Sequence, residues 1–150
     1  MTTDYLIRVG DGENFNNSSK LNIWGVNSKS NLGKWFINNV KPGDRLWFVQ
    51  GKSNGKLIGV AIFRSHNKRE LGPLINITMS NEELGWNGEG PDWTSDTEIH
   101  YSNLYDLNDC NLLTHIKGPS TIRKYDEKCR VNLPVEYSYI VRYSMVKICN

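Results

Sequence analysis

An α+β fold, a small mixed β-barrel with a few short helices, is what this chain predicts, and three observations carry the prediction. Short runs rich in aromatic and β-branched residues recur along it, separated by Gly, Pro and Asn. The stretch from Leu21 to Phe63 reads strand, helix, strand, strand without a break. No internal repeat, low-complexity tract or linker divides the 150 residues, so 1–150 is expected to form one domain around a single core.

Tyr5 to Val9 is the opening strand, and the polar segment Gly10 to Lys20 reads as a loop because Gly, Asn and Ser dominate it. Leu21 to Val26 is a second short strand. Ser30 or Asn31 caps a helix on which Leu32, Trp35, Phe36 and Val40 share a face, and Lys41-Pro42-Gly43 ends it. Arg45 to Gln50 and Lys56 to Phe63 follow as strands joined by a hairpin, with Asn54-Gly55 supplying the positive φ angles of its turn and Gly51 and Lys52 in its loop. Leu57 to Phe63 is apolar on both faces, which marks a central strand.

Pro73 to Met79 is a further strand candidate. Ser80 to Asp96 holds too much Gly, Pro, Asn and Asp for regular structure, yet carries Trp86 and Trp93, so it reads as a long loop with two tryptophans. Ile99, Tyr101, Tyr105 and Leu107 keep even spacing through Asn103, the pattern of a bent or bulged strand. Leu112 to Ile116 fits one helical turn or a short strand. Tyr137 to Ile148 alternates and is expected to close the sheet.

Composition narrows the function classes. Eighteen basic against sixteen acidic residues leave a formal charge of +2, so any electrostatic grip on nucleic acid has to come from local clustering. Cys110, Cys129 and Cys149 are an odd, widely spaced set without a CxxC pair, the usage of reduced thiols in an intracellular protein. No apolar run reaches the ~18 residues of a membrane span and the N-terminus lacks a leader pattern, so a soluble cytoplasmic or nuclear protein with no membrane partner is expected. The asparagine-rich composition is that of an AT-rich genome such as a large virus, phage or protist. His66, His100 and His115 lack ligand spacing, and GDGENF and GKSNGK lack the lysine placement of a phosphate loop, so neither metal nor cofactor is called for.

The order IWGVN, helix, KPGDRLWF, hairpin, KLIGVAIF, followed by DWTSDTEIHYSNLYDL, resembles the PUA-like superfamily and within it the YTH and EVE domains. The similarity covers about two thirds of the chain. It implies a nucleic-acid-binding domain that reads a flipped, methylated base of single-stranded RNA, or less readily DNA, in a tryptophan-lined pocket. Trp24 matches the first cage position, Trp86 and Trp93 match the others less closely, and Asn27 and Ser28 stand where the family reads a base edge. Stacking on an indole is worth ~1–3 kcal/mol per base and burying a methyl about 0.8 kcal/mol, while an amide such as Asn27 offers both donor and acceptor. Lys29 and Lys34 near the helix, Lys52 and Lys56 at the hairpin, and Arg123 with Lys124 are the candidate phosphate contacts.

Two other classes compete. Resemblance to the ASCH relatives implies a small hydrolase acting on a nucleoside or RNA, with Lys29 or Lys41, Ser28 or Ser30, and Glu98 as its cast; a buried lysine beside a carboxylate would mark it. A protein-interaction regulator would instead show an exposed apolar patch and no cleft. Trp35 and Trp47 are assigned to packing, since large aromatics dominate core burial.

Overall fold

The computed structural model describes residues 3–50, 55–69, 78–87 and 95–107, together with the backbone of 112–113 and 122–124. Seven strands and three helices follow in the order β1 Asp4–Arg8, α1 Glu13–Ser19, β2 Ile23–Val26, α2 Asn31–Asn39, β3 Arg45–Gln50, β4 Lys56–Lys68, α3 Asn81–Leu84, β5 Thr97–Asp106, β6 Leu112–Leu113 and β7 Ile122–Lys124. The strands β2-β5-β4-β3-β1 form a curled half-barrel; β7 extends it beyond β1 and β6 pairs with the start of β4. The sheet is mixed, because β1 runs parallel to β3 while the other pairs are antiparallel.

Extra residues drive the curl. Phe48 pairs with Gly59 and Val49 with Leu57, so Ile58 is surplus on β4; Val60 pairs with Tyr105 and Ile62 with Ser102, which leaves a surplus on β5. Asn103, at φ +57°, falls within that second bulge. A bulge bends its strand and strengthens local twist, and three register shifts across two ladders wrap the sheet around one core. The core holds Tyr5, Phe15, Phe36, Leu46, Phe48, Phe63, Ile99 and Tyr101. As the apolar pattern implies, β4 is central and buried from Leu57 to Phe63.

The Lys-Pro-Gly-Asp corner organises one end. Asp44 is buried and accepts from the backbone N–H groups of Thr3 at 3.0 Å and Lys41 at 2.9 Å, while its own carbonyl receives the N–H of Phe63 at 2.7 Å. Arg45 grips both carboxylate oxygens of Asp4, and the Trp47 indole donates to the same carboxylate at 3.0 Å, fixing the parallel β1–β3 register at Asp4↔Arg45. Trp47 is buried, as its packing role requires.

Three sequence expectations change. Gly10 to Lys20 is not all loop, because Glu13–Ser19 is helical. Asp11 accepts from Glu13 N–H at 2.9 Å to start the helix, and Phe15 enters the core at 2% exposure. Ser80 to Asp96 contains the short helix α3, whose Ser80 and Glu83 form a reciprocal capping box. On α2 the buried positions are Gly33, Phe36 and, just past the helix, Val40, with Ile37 partly buried, the i, i+3, i+4, i+7 stripe; Leu32 (44%) and Trp35 (37%) lie exposed on its shoulder. The shift has a steric cause. A Cβ at Gly33 would stand 2.0 Å from the Asn27 carbonyl oxygen, so α2 reaches that loop only through a glycine. Ser30 caps the helix as expected, accepting from Gly33 N–H at 3.0 Å. Trp35 retains an edge contact with Tyr5 at 5.7 Å.

Candidate functional site

Two neighbouring constructions at the β2–β5–β4 side of the sheet bring together residues that the sequence places far apart. The first is aromatic. Gly25 faces Glu98 across the β2–β5 ladder, and the missing side chain lets the Trp86 indole lie on β2: a Cβ there would be 2.8 Å from the ring. Arg69, buried just past the end of β4, also packs on the ring. Its guanidinium carbon sits 5.1 Å over the Trp86 ring, while its nitrogens donate to Asn81 Oδ1 and to the carbonyls of Met79 and Ser95 at 2.8–2.9 Å.

Helix α1 completes the clamp. Asn14 bonds both the carbonyl and the N–H of Asn87, at 3.0 and 2.8 Å, and Asn17 donates to the Gly85 carbonyl at 2.7 Å. The two amides serve the flanks of Trp86 as a neighbouring strand would, which explains why this asparagine-rich stretch is not an idle loop. Trp86 is 5% exposed, and its Nε1 has no hydrogen-bond partner among the described residues.

Trp24 and Trp86 do meet, with ring centroids 5.6 Å apart and planes at 71°. A base sandwiched between two indoles needs parallel walls roughly 7 Å apart, twice the ~3.4 Å stacking rise. The edge-to-face pair fills its own gap, so these two rings form no parallel slot. Trp24 is half-buried and also contacts Phe15 edge on at 6.0 Å. Trp93 lies outside the described residues.

The second construction is a cleft of ≈ 900 Å³ between α2 and the far end of the β4–β5 pair. Ser28 and Ile37 form one side; His66, Asn67 and Lys68 of β4 face it with Thr97, Glu98 and His100 of β5, and Thr78 borders it. Ser28 is held by Asp96, whose carboxylate takes its N–H at 2.8 Å and its hydroxyl at 2.6 Å, with Thr97 Oγ1 at 3.2 Å. Burial alone would raise the Asp96 carboxyl. The Ser28 and Thr97 hydrogen bonds and the nearby Lys29 charge outweigh it and hold the group below its usual range. Glu98, 5% exposed, pairs through Oε2 with His100 Nε2 at 2.9 Å.

Of the predicted base-edge residues, Ser28 lines the cleft, whereas Asn27 is exposed and turns its Oδ1 to the Lys29 N–H at 3.0 Å. The predicted cations divide. Lys29 lies within electrostatic reach of Asp96, and Lys34 is exposed on α2 one turn before Ile37. Lys56 sits at the opposite end of β4, some 40 Å of extended chain from Lys68 at ~3.3 Å per residue. Arg123 and Lys124 belong to β7, paired to Leu6 and Tyr5 on the other edge of the sheet. Their side chains, Lys52, the three cysteines and Tyr137 to Ile148 lie outside the described residues. Of the hydrolase cast, Ser28 and Glu98 share the cleft, Ser30 is spent on the α2 cap, and Lys29 and Lys41 are exposed.

The sequence reading missed Asn67, Lys68 and Thr97 and set His66 and His100 aside. RSHNK after Phe63 has no alternation, and only pairing with Thr97–His100 makes it strand. A signal for α3 did exist: S-N-E-E is the capping-box pattern. No helix among the described residues is long and apolar enough to cross a membrane. No protein-family model matches the chain, and no curated protein matches it.

Proposed function

We propose that this protein is a PUA-like domain that binds single-stranded nucleic acid, RNA ahead of DNA, by admitting one unstacked base into the cleft between α2 and β4–β5. The observation that carries the reading is the cleft itself, ≈ 900 Å³, in which hydroxyl, amide, imidazole and carboxylate groups are set among apolar surface. Its size is that of sites for small organic ligands, and its groups are those that read base edges. Lys68 lines it, Lys29 lies near Asp96 and Lys34 lies one turn before Ile37 on α2, and these three are its phosphate contacts, whereas Lys56 stands at the opposite end of β4. The Trp24–Trp86 pair acts as the rigid packing behind β2 rather than as a sandwich.

Titration with seven-nucleotide single-stranded RNA and DNA, unmodified and with a methylated central base, followed by tryptophan fluorescence and by anisotropy of a labelled strand, tests the proposal. Binding tighter than about 100 µM, the weak limit of nonspecific association, is expected at low salt; its absence for every strand refutes the reading. A second reading, a hydrolase of a nucleoside or RNA, draws on Ser28 and the Glu98–His100 pair in one cleft. Product formed from the same RNA on incubation would decide for it.

A further inference from the structure

Glu98 is the least expected wall of a nucleic-acid site. Phosphate repels a carboxylate, and burying one is costly unless it is paired. Yet Glu98 is 5% exposed, lines the cleft, and makes a single side-chain hydrogen bond among the described residues, to His100. An ionised carboxylate has about four acceptor positions on its two oxygens. His100 occupies one on Oε2, so the remaining acceptor positions have no side-chain partner among the described residues. On the β2 side the neighbouring residue is Gly25 with Trp86 packed over it, and on the β4 side the neighbour is Asn67.

From this geometry we infer that the cleft selects guanine, with Glu98 accepting from its N1–H and N2–H₂ edge. The inference rests on the base-binding reading above. An acceptor-only group with two oxygens matches two adjacent donors, and among the four bases only guanine presents them. Adenine and cytosine offer one amino group beside a ring-nitrogen lone pair, and uracil offers one N–H between two carbonyls; each would place a lone pair against the carboxylate. Guanine also exposes O6 and N7 as acceptors on its other edge. Lys68, in the same cleft, carries the cation that commonly meets that pair.

The test uses the whole chain and oligouridine heptamers with a central guanine, hypoxanthine, adenine or cytosine at one fixed salt concentration, with affinity read by anisotropy. The guanine strand is expected to bind about tenfold more tightly than those with adenine or cytosine, within the ~5–150-fold range of a bidentate base contact. It should also bind at least about fivefold more tightly than the hypoxanthine strand, which lacks only the N2 amino group. Glu98→Gln should bring the guanine strand to the level of adenine. If the wild-type chain binds all four strands equally, or if Glu98→Gln keeps the preference for guanine, the selectivity is refuted while the base-binding reading stands. If no strand binds, the base-binding reading fails and the selectivity with it. Should the variant not fold, the guanine–hypoxanthine contrast in the wild-type chain decides alone.

Discussion

Replacing Asp96 by Asn should destabilise the protein at neutral pH and have little effect in acid. The carboxylate holds Ser28 with two charge-assisted bonds, 2.8 Å from the N–H and 2.6 Å from the hydroxyl. Asparagine keeps the shape and, by turning its oxygen to the N–H and its amide to the rotatable hydroxyl, keeps both contacts without the charge. Charged hydrogen bonds contribute ~1.5–3 kcal/mol and neutral ones about 0.5–1.5 kcal/mol, so the two together lose about 2 kcal/mol. For a domain of this length that lowers Tm by roughly 4–8 °C.

The sign of the pH effect follows from the depressed carboxyl. Its folded pKa lies below the ordinary 3.8, so its contribution is complete above that value and is lost as pH falls through the folded pKa. Thermal unfolding followed by circular dichroism from pH 7 to pH 2 should therefore show two curves that stay apart down to about pH 4 and then converge. A variant as stable as wild type at pH 7, or a gap that persists unchanged to pH 2, would refute the assignment of Asp96 as the ionised anchor of the cleft rim.

Gly25→Ala places a methyl 2.8–2.9 Å from the Trp86 ring and the Ser95 side chain, and should cost about 1–3 kcal/mol with a red shift of tryptophan emission as the indole lifts from β2. Unchanged emission and stability would show that the ring packs elsewhere. Asn14→Ala removes both bonds to the Asn87 backbone; about 1 kcal/mol is expected at this exposed site, together with faster amide exchange at Asn87, measured by NMR.

Where local chemistry decides, the sequence is readable. Ser30 with its following turn, the Pro42 stop, the positive-φ Gly55 of the hairpin and the two-sided apolar run of β4 appear in the structure as their residue types require. The bend at Asn103 is in the same class. Helix α1 is not. ENFNNSS has one large apolar residue and no helical stripe, and it is held by Phe15 in the core and by amides that grip Gly85 and Asn87, about seventy residues away. On α2 the spacing correctly marked a helix, but which side faces inward was set by the close approach of Asn27 to Gly33.

The candidate site divides along the same line. Trp24, Ser28 and Lys29 stand out in the sequence because an indole, a hydroxyl and a cation sit between a strand and a helix. Glu98, His100, Asn67 and Lys68 carry no such mark, being ordinary polar residues of a strand pair. By itself the sequence determined the strand–helix–hairpin unit and the turns that bound it, since periodicity, capping and φ preference act within a few residues. Only the tertiary structure decided that Trp24 and Trp86 would pack edge to face and that a buried carboxylate would line the cleft. Those outcomes depend on strand register and on contacts between residues 29 to 73 positions apart, whose energies no local window contains.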